Sequence, residues 1–437
     1  MIVAKFGGSS MADTNTWSQV RAIIQRDRAR RYIVVSAPGK RTPDDLKVTD
    51  LLLSCWQLAQ DGQPMDGTFD KIAQRFGDIR DGLSLQCDLD QWLEDVRLHI
   101  SQGAGRDYAA SRGEALCARL FACYMDMPYV DAATCMRFDA EGRTDYEATY
   151  RATRRALEGG PVAVIPGFYG VDPTGAIRTF SRGGSDVTGA LVACALDADL
   201  YENWTDVTGF LSADPRVVKD AQVIPHMTYR ELRELSYMGA SVLHEDAVFP
   251  VRSQGIPTAL RNTFDPLHPG TMIHYRASRL SSQPLVTGIA GQKGYTMISL
   301  EKDQMNAEVG FARKVLQVFE EHGIAFEHLP TGIDALSVVV TTPQFEPHRQ
   351  AVLDALEERV HPDVITVQDQ LAMLATVGTG MRHRFGIAAR LFTTLAEQGI
   401  SISTMTQIPS ELSIIIGIEE KDLQTAIRVL YDAFMRT

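Results

Sequence analysis

The chain has 437 residues, 45% of them apolar, and a formal net charge of −12. That length is enough for two or three domains with sizeable cores. The acidic balance argues against nucleic acid or an anionic membrane surface as the main partner, since either calls for a basic face.

The first residues, 2–4, read as a short strand. Lys5-Phe6-Gly7-Gly8-Ser9-Ser10 follows, and then a helix presenting Trp17, Val20, Ile23 and Ile24 on one face. Residues 32–39 form an apolar run closed by turn residues, the signature of a buried parallel strand. Helical spacing dominates from 48 to 100, with breaks expected near Asp61-Gly62 and between Gly77 and Gly82. Ser111-Arg112-Gly113-Glu114 precedes an apolar helical stretch, 115–124, which puts Gly113 and Glu114 at a helix N-terminus. Glu114 is there either a favourable first-turn charge or a ligand.

A second buried strand is expected over 161–168. It leads to Phe180-Ser181-Arg182-Gly183-Gly184-Ser185-Asp186. Paired glycines let a backbone approach a ligand, Ser185 or Asp186 is expected to cap the next helix, and the free N–H groups there favour an anion. Arg182 adds a fork suited to a carboxylate or phosphate. Residues 200–210 read as an irregular strand into a loop, followed by Ala213-Asp214-Pro215-Arg216. Strands alternating with helices, with glycine loops at strand ends, indicate an α/β fold whose ligand sits at the carboxyl edge of the sheet.

Residues 276–284 read as a linker. Beyond it the chain repeats itself at an offset of about 76 residues: Gly310-Phe311-Ala312 answers Gly386-Ile387-Ala388, and Leu336-Ser337-Val338-Val339-Val340 answers Leu412-Ser413-Ile414-Ile415-Ile416. Each copy reads strand, helix, strand, strand, helix with a possible last strand, a ferredoxin-like arrangement suited to regulation or dimerisation. In the first copy the helix is expected over 311–321 and the last strand over 364–367.

Six cysteines (Cys55, Cys87, Cys117, Cys123, Cys135 and Cys194) lack Cys-x-x-Cys spacing, so free buried thiols are expected and not a zinc site. No charged leader precedes Ile2 and no stretch is long and apolar enough to span a bilayer, so a reducing cytoplasm is expected. The Walker sequence and the Gly-x-Gly-x-x-Gly fingerprint after a strand are both missing. A lysine beside a Gly-Gly turn can still serve phosphoryl transfer, which depends on positioning and charge neutralisation. The same loops would also suit a carboxylate substrate of another reaction. Composition and spacing leave that choice open.

Seven motifs occur in the order found in aspartate kinases: Lys5 to Ser10, Ser111 to Glu114, Arg182 to Asp186, Thr205-Asp206-Val207, Ala213 to Arg216, Gly239-Ala240-Ser241-Val242-Leu243-His244, and Ile256-Pro257 with Arg261-Asn262-Thr263-Phe264. Over essentially its whole length the chain resembles that family. The resemblance implies a carbamate-kinase-like, doubly wound amino-acid-kinase domain over 1–283 and two ferredoxin-like ACT modules over 284–368 and 369–437. It implies transfer of the γ-phosphoryl group of MgATP to the β-carboxylate of L-aspartate, with Mg2+ accompanying ATP and the metal's protein ligands unknown.

The resemblance also assigns roles. Lys5 would neutralise the moving phosphoryl group, with Gly7, Gly8 and Ser9 donating to it. Glu114 would hold the substrate ammonium, Arg182 its α-carboxylate, Ser185 would touch substrate and Asp186 would orient Lys5. Thr205, Asp206, Asp214 and Arg216 would lie near the nucleotide. Met305, Gly310, Phe311, Ala325, Phe326 and Glu327 would form an effector region, with lysine the expected effector, and the ACT modules would build a dimer or tetramer. Two departures stand beside the nucleotide in the family: Leu211, where many relatives have tyrosine, and Ser241, where many have lysine. They keep a second reading open, an amino-acid sensor of the same fold with weakened catalysis. A kinase acting on another small acid is a third.

Overall fold

The computed structural model of the chain describes residues 1–181, 183–240, 243, 245–275, 284–407 and 412–436, with 245–247 described at the backbone only. Its contacts divide it into two units. One holds Met1–Phe210, Val223–Tyr229 and Val242–Arg279; the other holds Leu211–Gln222, Arg230–Ser241 and Leu280–Thr437.

The first unit begins with β1 (Ile2–Phe6), α1 (Thr14–Arg26) and β2 (Arg30–Val35). The helical excursion then runs through α2 (Val48–Gln60), α3 (Asp66–Gly82), α4 (Leu89–Ser101) and α5 (Arg106–Met125), and continues with α6 (Ala132–Cys135) and α7 (Tyr146–Ala156). After these come β3 (Ala163–Pro166), β4 (Tyr169–Val171), β5 (Ile177–Thr179), α8 (Gly184–Ala195), β6 (Leu200–Thr205), β7 (His226–Thr228), α10 (Glu245–Gln254), β8 (Thr258–Asn262) and β9 (Thr271–His274), while α9 (Tyr229–Tyr237), which follows β7 in the chain, belongs from Arg230 onward to the second unit. Seven strands form one sheet in the order β3-β2-β1-β6-β8-β9-β7, parallel except where β8 meets β9. The order reverses direction around β1, so the ends of β1 and β6 lie at the switch point where such sheets bind ligands. Trp17, fully buried, packs edge-on against Phe121 with ring centroids 5.1 Å apart and donates from its indole N–H to the Met11 carbonyl. That contact fastens α1 to α5 beneath the first turn.

The structure corrects four local expectations. Helix α3 runs through Gly77, because Ile72, Phe76 and Ile79 keep its apolar face buried past that residue. Helix α5 begins at Arg106, eight residues before Glu114, so Glu114 is interior to a helix and not at its start. Gly183, at φ 56°, is the N-cap of α8; Ser185 and Asp186 lie inside its first turn and make no cap bond. Of the six thiols Cys87 is half-buried and Cys123 exposed, while the other four are buried.

The second unit contains β10 (Gly288–Glu301), α11 (Phe311–Glu321), β11 (Phe326–His328), β12 (Ala335–Thr341), α12 (Thr342–Phe345), α13 (Arg349–Val360), β13 (Val364–Val377), α14 (Ile387–Ala396), β14 (Ile402–Gln407), β15 (Ser413–Glu419) and α15 (Leu423–Met435). Its six strands are ordered β11-β12-β10-β13-β15-β14. The repeat appears in the backbone as well as in the sequence: Gly310 and Gly386 cap α11 and α14 at φ 84° and 82°, and Gly323 and Gly399 both sit at φ 68°. Only glycine enters that region at no steric cost.

The two copies share strands. Residues 288–293 of β10 pair with 372–377 of β13, whereas 295–301 pair with β12 and 297–301 also with 364–368 of β13. A single sheet therefore runs through both modules, and the 368/369 division falls inside β13. Val315, Val318, Val338 and Leu356 lie in the core of one half-sheet. Leu391, Ile416, Leu430 and Tyr431 lie in that of the other, and Ala213 and Val218 from the segment Leu211–Gln222 complete it.

Candidate active site

Strand β1 ends in a turn that is defined by what presses on it. The Gly7 N–H donates to the Trp204 carbonyl at 2.9 Å, and Ser10 and Met11 N–H groups fold back onto the Gly7 and Gly8 carbonyls. Gly39 donates to the Gly8 carbonyl at 2.8 Å, and a Cβ on Gly39 would lie 2.5 Å from the Gly8 carbonyl group. The turns after β1 and β2 thus pack backbone to backbone, which leaves Ser9 at the rim. On the other side, Ser10 and Thr263 hydroxyls meet at 2.7 Å and tie the turn to the end of β8.

Lys5 is buried, and its Nζ lies 2.5 Å from Asp186 Oδ1 on the first turn of α8. A Cβ on Gly7 would stand 3.3 Å from that ammonium, so glycine keeps the space over Lys5 open. Asn203 of β6 donates to the same Asp186 Oδ1 at 2.8 Å, and the Tyr201 hydroxyl donates to the Asp186 main-chain carbonyl at 3.0 Å. Ser185, beside Asp186, is held by Gly167 at the end of β3, where any Cβ would come within 2.5 Å of the serine Oγ.

Glu114 approaches through the turn after β2. Gly113 is glycine because a Cβ there would lie 2.9 Å from the Ala37 Cβ, and the Ala37 N–H is near enough to Glu114 to favour its charged form. Its carboxyl is 6% exposed, and Oε2 has no hydrogen-bond partner among the described residues. Burial pushes its pKa from 4.5 up to about 8, against the lowering effect of its backbone hydrogen bonds and of Arg112. A buried carboxyl with one empty acceptor position suits a cationic ligand group.

Lys5, Gly7, Gly8, Ser9, Glu114, Ser185, Asp186, Thr205 and Asp206 all fall in the first unit, and Thr205 closes on its neighbour at 3.2 Å from Asp206 Oδ1. Asp214 and Arg216 fall in the second, where the exposed Arg216 guanidinium is paired with Asp214 at 2.7 Å. Arg182, Ser241 and His244 lie outside the described residues. In the effector region Met305 and Phe311 turn their side chains into a module core, Gly310 is the cap of α11, and Ala325 and Phe326 are exposed at the sheet edge. Glu327 is half-buried and accepts a hydrogen bond from the Tyr237 hydroxyl.

Sequence reasoning missed Tyr201 and Asn203, and also Arg75, which is 3% exposed and bonded to Asp45 and to the Gly39 carbonyl. Arg75 anchors the segment that follows the second turn. Tyr201 and Asn203 carried one usable signal: polar groups at alternate positions of a central strand stay buried only when they have a partner.

The sequence profile of the amino acid kinase family matches residues 1–262, and that of the ACT domain matches 374–434. Aspartokinase 3 of Bacillus subtilis is 36% identical in an alignment spanning 99% of this chain and 98% of its own. The chain belongs to the aspartate kinases of the amino acid kinase family. Among solved structures, the aspartate kinase of Clostridium acetobutylicum aligns over 99% of both chains with a TM-score of 0.90 and 43% identity. Aspartokinase III of E. coli, solved with aspartate and ADP, has the same fold at a TM-score of 0.74 and 24% identity. The expected architecture of an aspartate kinase, a doubly wound kinase domain followed by ferredoxin-like ACT modules, is the one observed. No helix among the described residues is long and apolar enough to cross a membrane.

Proposed function

We propose that the chain transfers the γ-phosphoryl group of MgATP to the β-carboxylate of L-aspartate, giving 4-phospho-L-aspartate and ADP, the first step towards lysine, threonine and methionine. The observation that carries this reading is the pairing of buried Lys5 with Asp186 at the glycine turn, in the same unit as a buried carboxyl, Glu114, with an empty acceptor position. An aspartate β-carboxylate has an ordinary pKa near 3.9, so it reaches the site ionised and needs no base. One of its oxygens forms a bond to the γ-phosphorus while the bond to the β,γ-bridging oxygen breaks, and ADP leaves with that electron pair.

Bringing two anions together is the difficulty, and Lys5 with the Gly8 and Ser9 donors meets it by neutralising the group in transfer; Gly7, whose N–H is taken by the Trp204 carbonyl, serves by leaving the space over Lys5 open. Asp186 orients Lys5. Glu114 receives the substrate ammonium, Arg182 its α-carboxylate, and Ser185 contacts the substrate. Thr205, Asp206, Asp214 and Arg216 serve the nucleotide. Among the described residues no cluster of three or more His, Cys, Asp or Glu side chains gathers to hold a metal; Mg2+ arrives with ATP, coordinated largely by phosphate and water as is usual for that ion.

The sensor reading is disfavoured because Lys5 is paired with Asp186 and the buried Glu114 has an open acceptor position, an arrangement that suits catalysis. An ADP-release assay with L-aspartate, glutamate and carbamate as acceptors tests the proposal. Aspartate-dependent turnover is expected, and absent or aspartate-independent turnover would overturn it.

The ACT modules carry regulation, with lysine as effector. The support is Glu327, which offers a carboxylate to an ammonium group, and the exposed edge strand β11, whose Phe326 suits pairing with a second copy in a dimer or tetramer. A cytoplasmic location fits this metabolic role.

A further inference from the structure

Strand β6 contributes two polar side chains that no motif of the chain accounts for, and both act on Asp186. Asn203, 1% exposed, is directly opposite Lys5 in the parallel register of β1 and β6 and gives Asp186 Oδ1 a 2.8 Å hydrogen bond. Two positions earlier, and hence on the same face of the strand, the buried Tyr201 hydroxyl bonds the Asp186 carbonyl at 3.0 Å. Side chain and main chain of Asp186 are thus each held by a side chain of the same strand. Space for the tyrosine ring exists because residue 189 is glycine: a Cβ there would stand 2.7 Å from the ring.

We infer that Asn203, supported by Tyr201, is a positioning residue for phosphoryl transfer. Asp186 Oδ1 receives Lys5 and Asn203 together. Without the amide, a carboxylate on a freely rotating side chain has two equivalent oxygens to offer the ammonium and several rotamers in which to offer them. The amide selects one oxygen and one rotamer, and so fixes where the Lys5 charge points. Preorganised charge of this kind lowers the barrier without adding ground-state affinity for either substrate. The inference rests on the kinase reading of the site.

The test uses the full-length chain and the variants Asn203→Leu, Asn203→Asp, Tyr201→Phe and Asp186→Asn. With Asn203→Leu, kcat should fall at least about tenfold while the KM values for aspartate and ATP stay within about threefold. Asn203→Asp keeps the shape but loses the donor, and should lose as much. In the Asp186→Asn background the further change Asn203→Leu should leave kcat unchanged, because the residue acts only through Asp186. Tyr201→Phe removes a single hydroxyl, and its smaller loss of kcat covers the case in which a leucine at 203 disturbs folding.

A readout independent of turnover is the rate of Lys5 acylation mapped by mass spectrometry, which should change at least about fivefold in Asn203→Leu, measured against Lys residues outside the site, because Lys5 and Asn203 share Asp186 Oδ1. Unchanged kcat together with unchanged Lys5 labelling in folded variants would overturn the inference, as would full additivity with Asp186→Asn. Failure of the kinase reading itself would show separately, as a parent protein that makes no ADP with aspartate; the labelling result then still decides whether Asn203 fixes Lys5.

Discussion

At neutral pH the substrate-free protein keeps most of Glu114 protonated, since its pKa lies near 8. If Glu114 receives the substrate ammonium as proposed, it does so as the carboxylate, and aspartate binding then releases that proton. The aspartate KM should therefore fall by up to about tenfold per pH unit between pH 6.5 and 8 and level off above, a one-proton linkage. Glu114→Gln should raise the KM and flatten its pH dependence; a steep profile surviving in the glutamine variant would remove Glu114 from the ammonium site. Stability follows the same group with its own sign. A folded pKa above the ordinary 4.5 means that the stabilising contribution is complete below about pH 4.5 and is lost as the pH rises through 8. Urea titrations of the substrate-free protein should show this decline, and Glu114→Gln should lose it. Lys5→Ala should cut kcat by a factor of about 100 or more, and Arg182→Ala should raise the aspartate KM far more than the ATP KM. Equal effects of Arg182→Ala on both constants would contradict its role. Among these residues Lys5 was legible from the glycine turn beside it. Asn203 was not, because nothing in a lone asparagine on a strand says which helix will face it.

Helix α8 shows why an element's surroundings decide its sequence. Its glycines at 184 and 189 look like interruptions in a helix former, yet Gly189 is the only residue that leaves room for the Tyr201 ring. Gly189→Ala should therefore destabilise by about 1–3 kcal/mol, the usual cost of overpacking, even though alanine is the better helix former. A gain in thermal stability would show that the ring simply moves aside. The same logic explains two misread boundaries. Gly113 inside α5 and Gly77 inside α3 are tolerated for different reasons: the first meets Ala37 at 2.9 Å and the second meets nothing within 4 Å. A glycine needed for close approach and one that a long apolar face simply carries along are indistinguishable in the sequence. The helix read over 311–321 has the limits of α11, and matching residues at a fixed offset revealed the repeat of the second unit. Neither could reveal that β10 and β13 are each long enough to serve both copies, because strand pairing is a long-range property.

On the scale of the molecule, the helix α9 segment of the second unit deals with both modules of the sheet. Glu231 accepts from Thr287 and from the Thr379 N–H, Glu234 from Ser413, and Glu327 from Tyr237. If lysine binds at Glu327, its ammonium competes with the Tyr237 hydroxyl. Lysine should inhibit, and Tyr237→Phe should change the lysine concentration giving half inhibition by about threefold or more while leaving uninhibited kcat near the parent value. An intact protein indifferent to lysine and threonine would remove the effector assignment.

The interleaving of the two units along the chain also sets the order in which parts of the second unit can be completed during synthesis. Asp214 and Arg216 sit in a segment, Leu211–Gln222, whose Ser212 hydroxyl and Gln222 N–H both donate to the hydroxyl of Tyr431, at 3.4 and 3.1 Å. More than two hundred residues separate the partners, so a ribosome must synthesise nearly the whole chain before that loop has its support. A chain stopped at residue 430 should retain the fold of the first unit and show a raised ATP KM, and Tyr431→Phe should reproduce part of the defect. The loop that carries Asp214 and Arg216 is thus among the last parts of the chain to be completed, although it lies at the middle of the sequence.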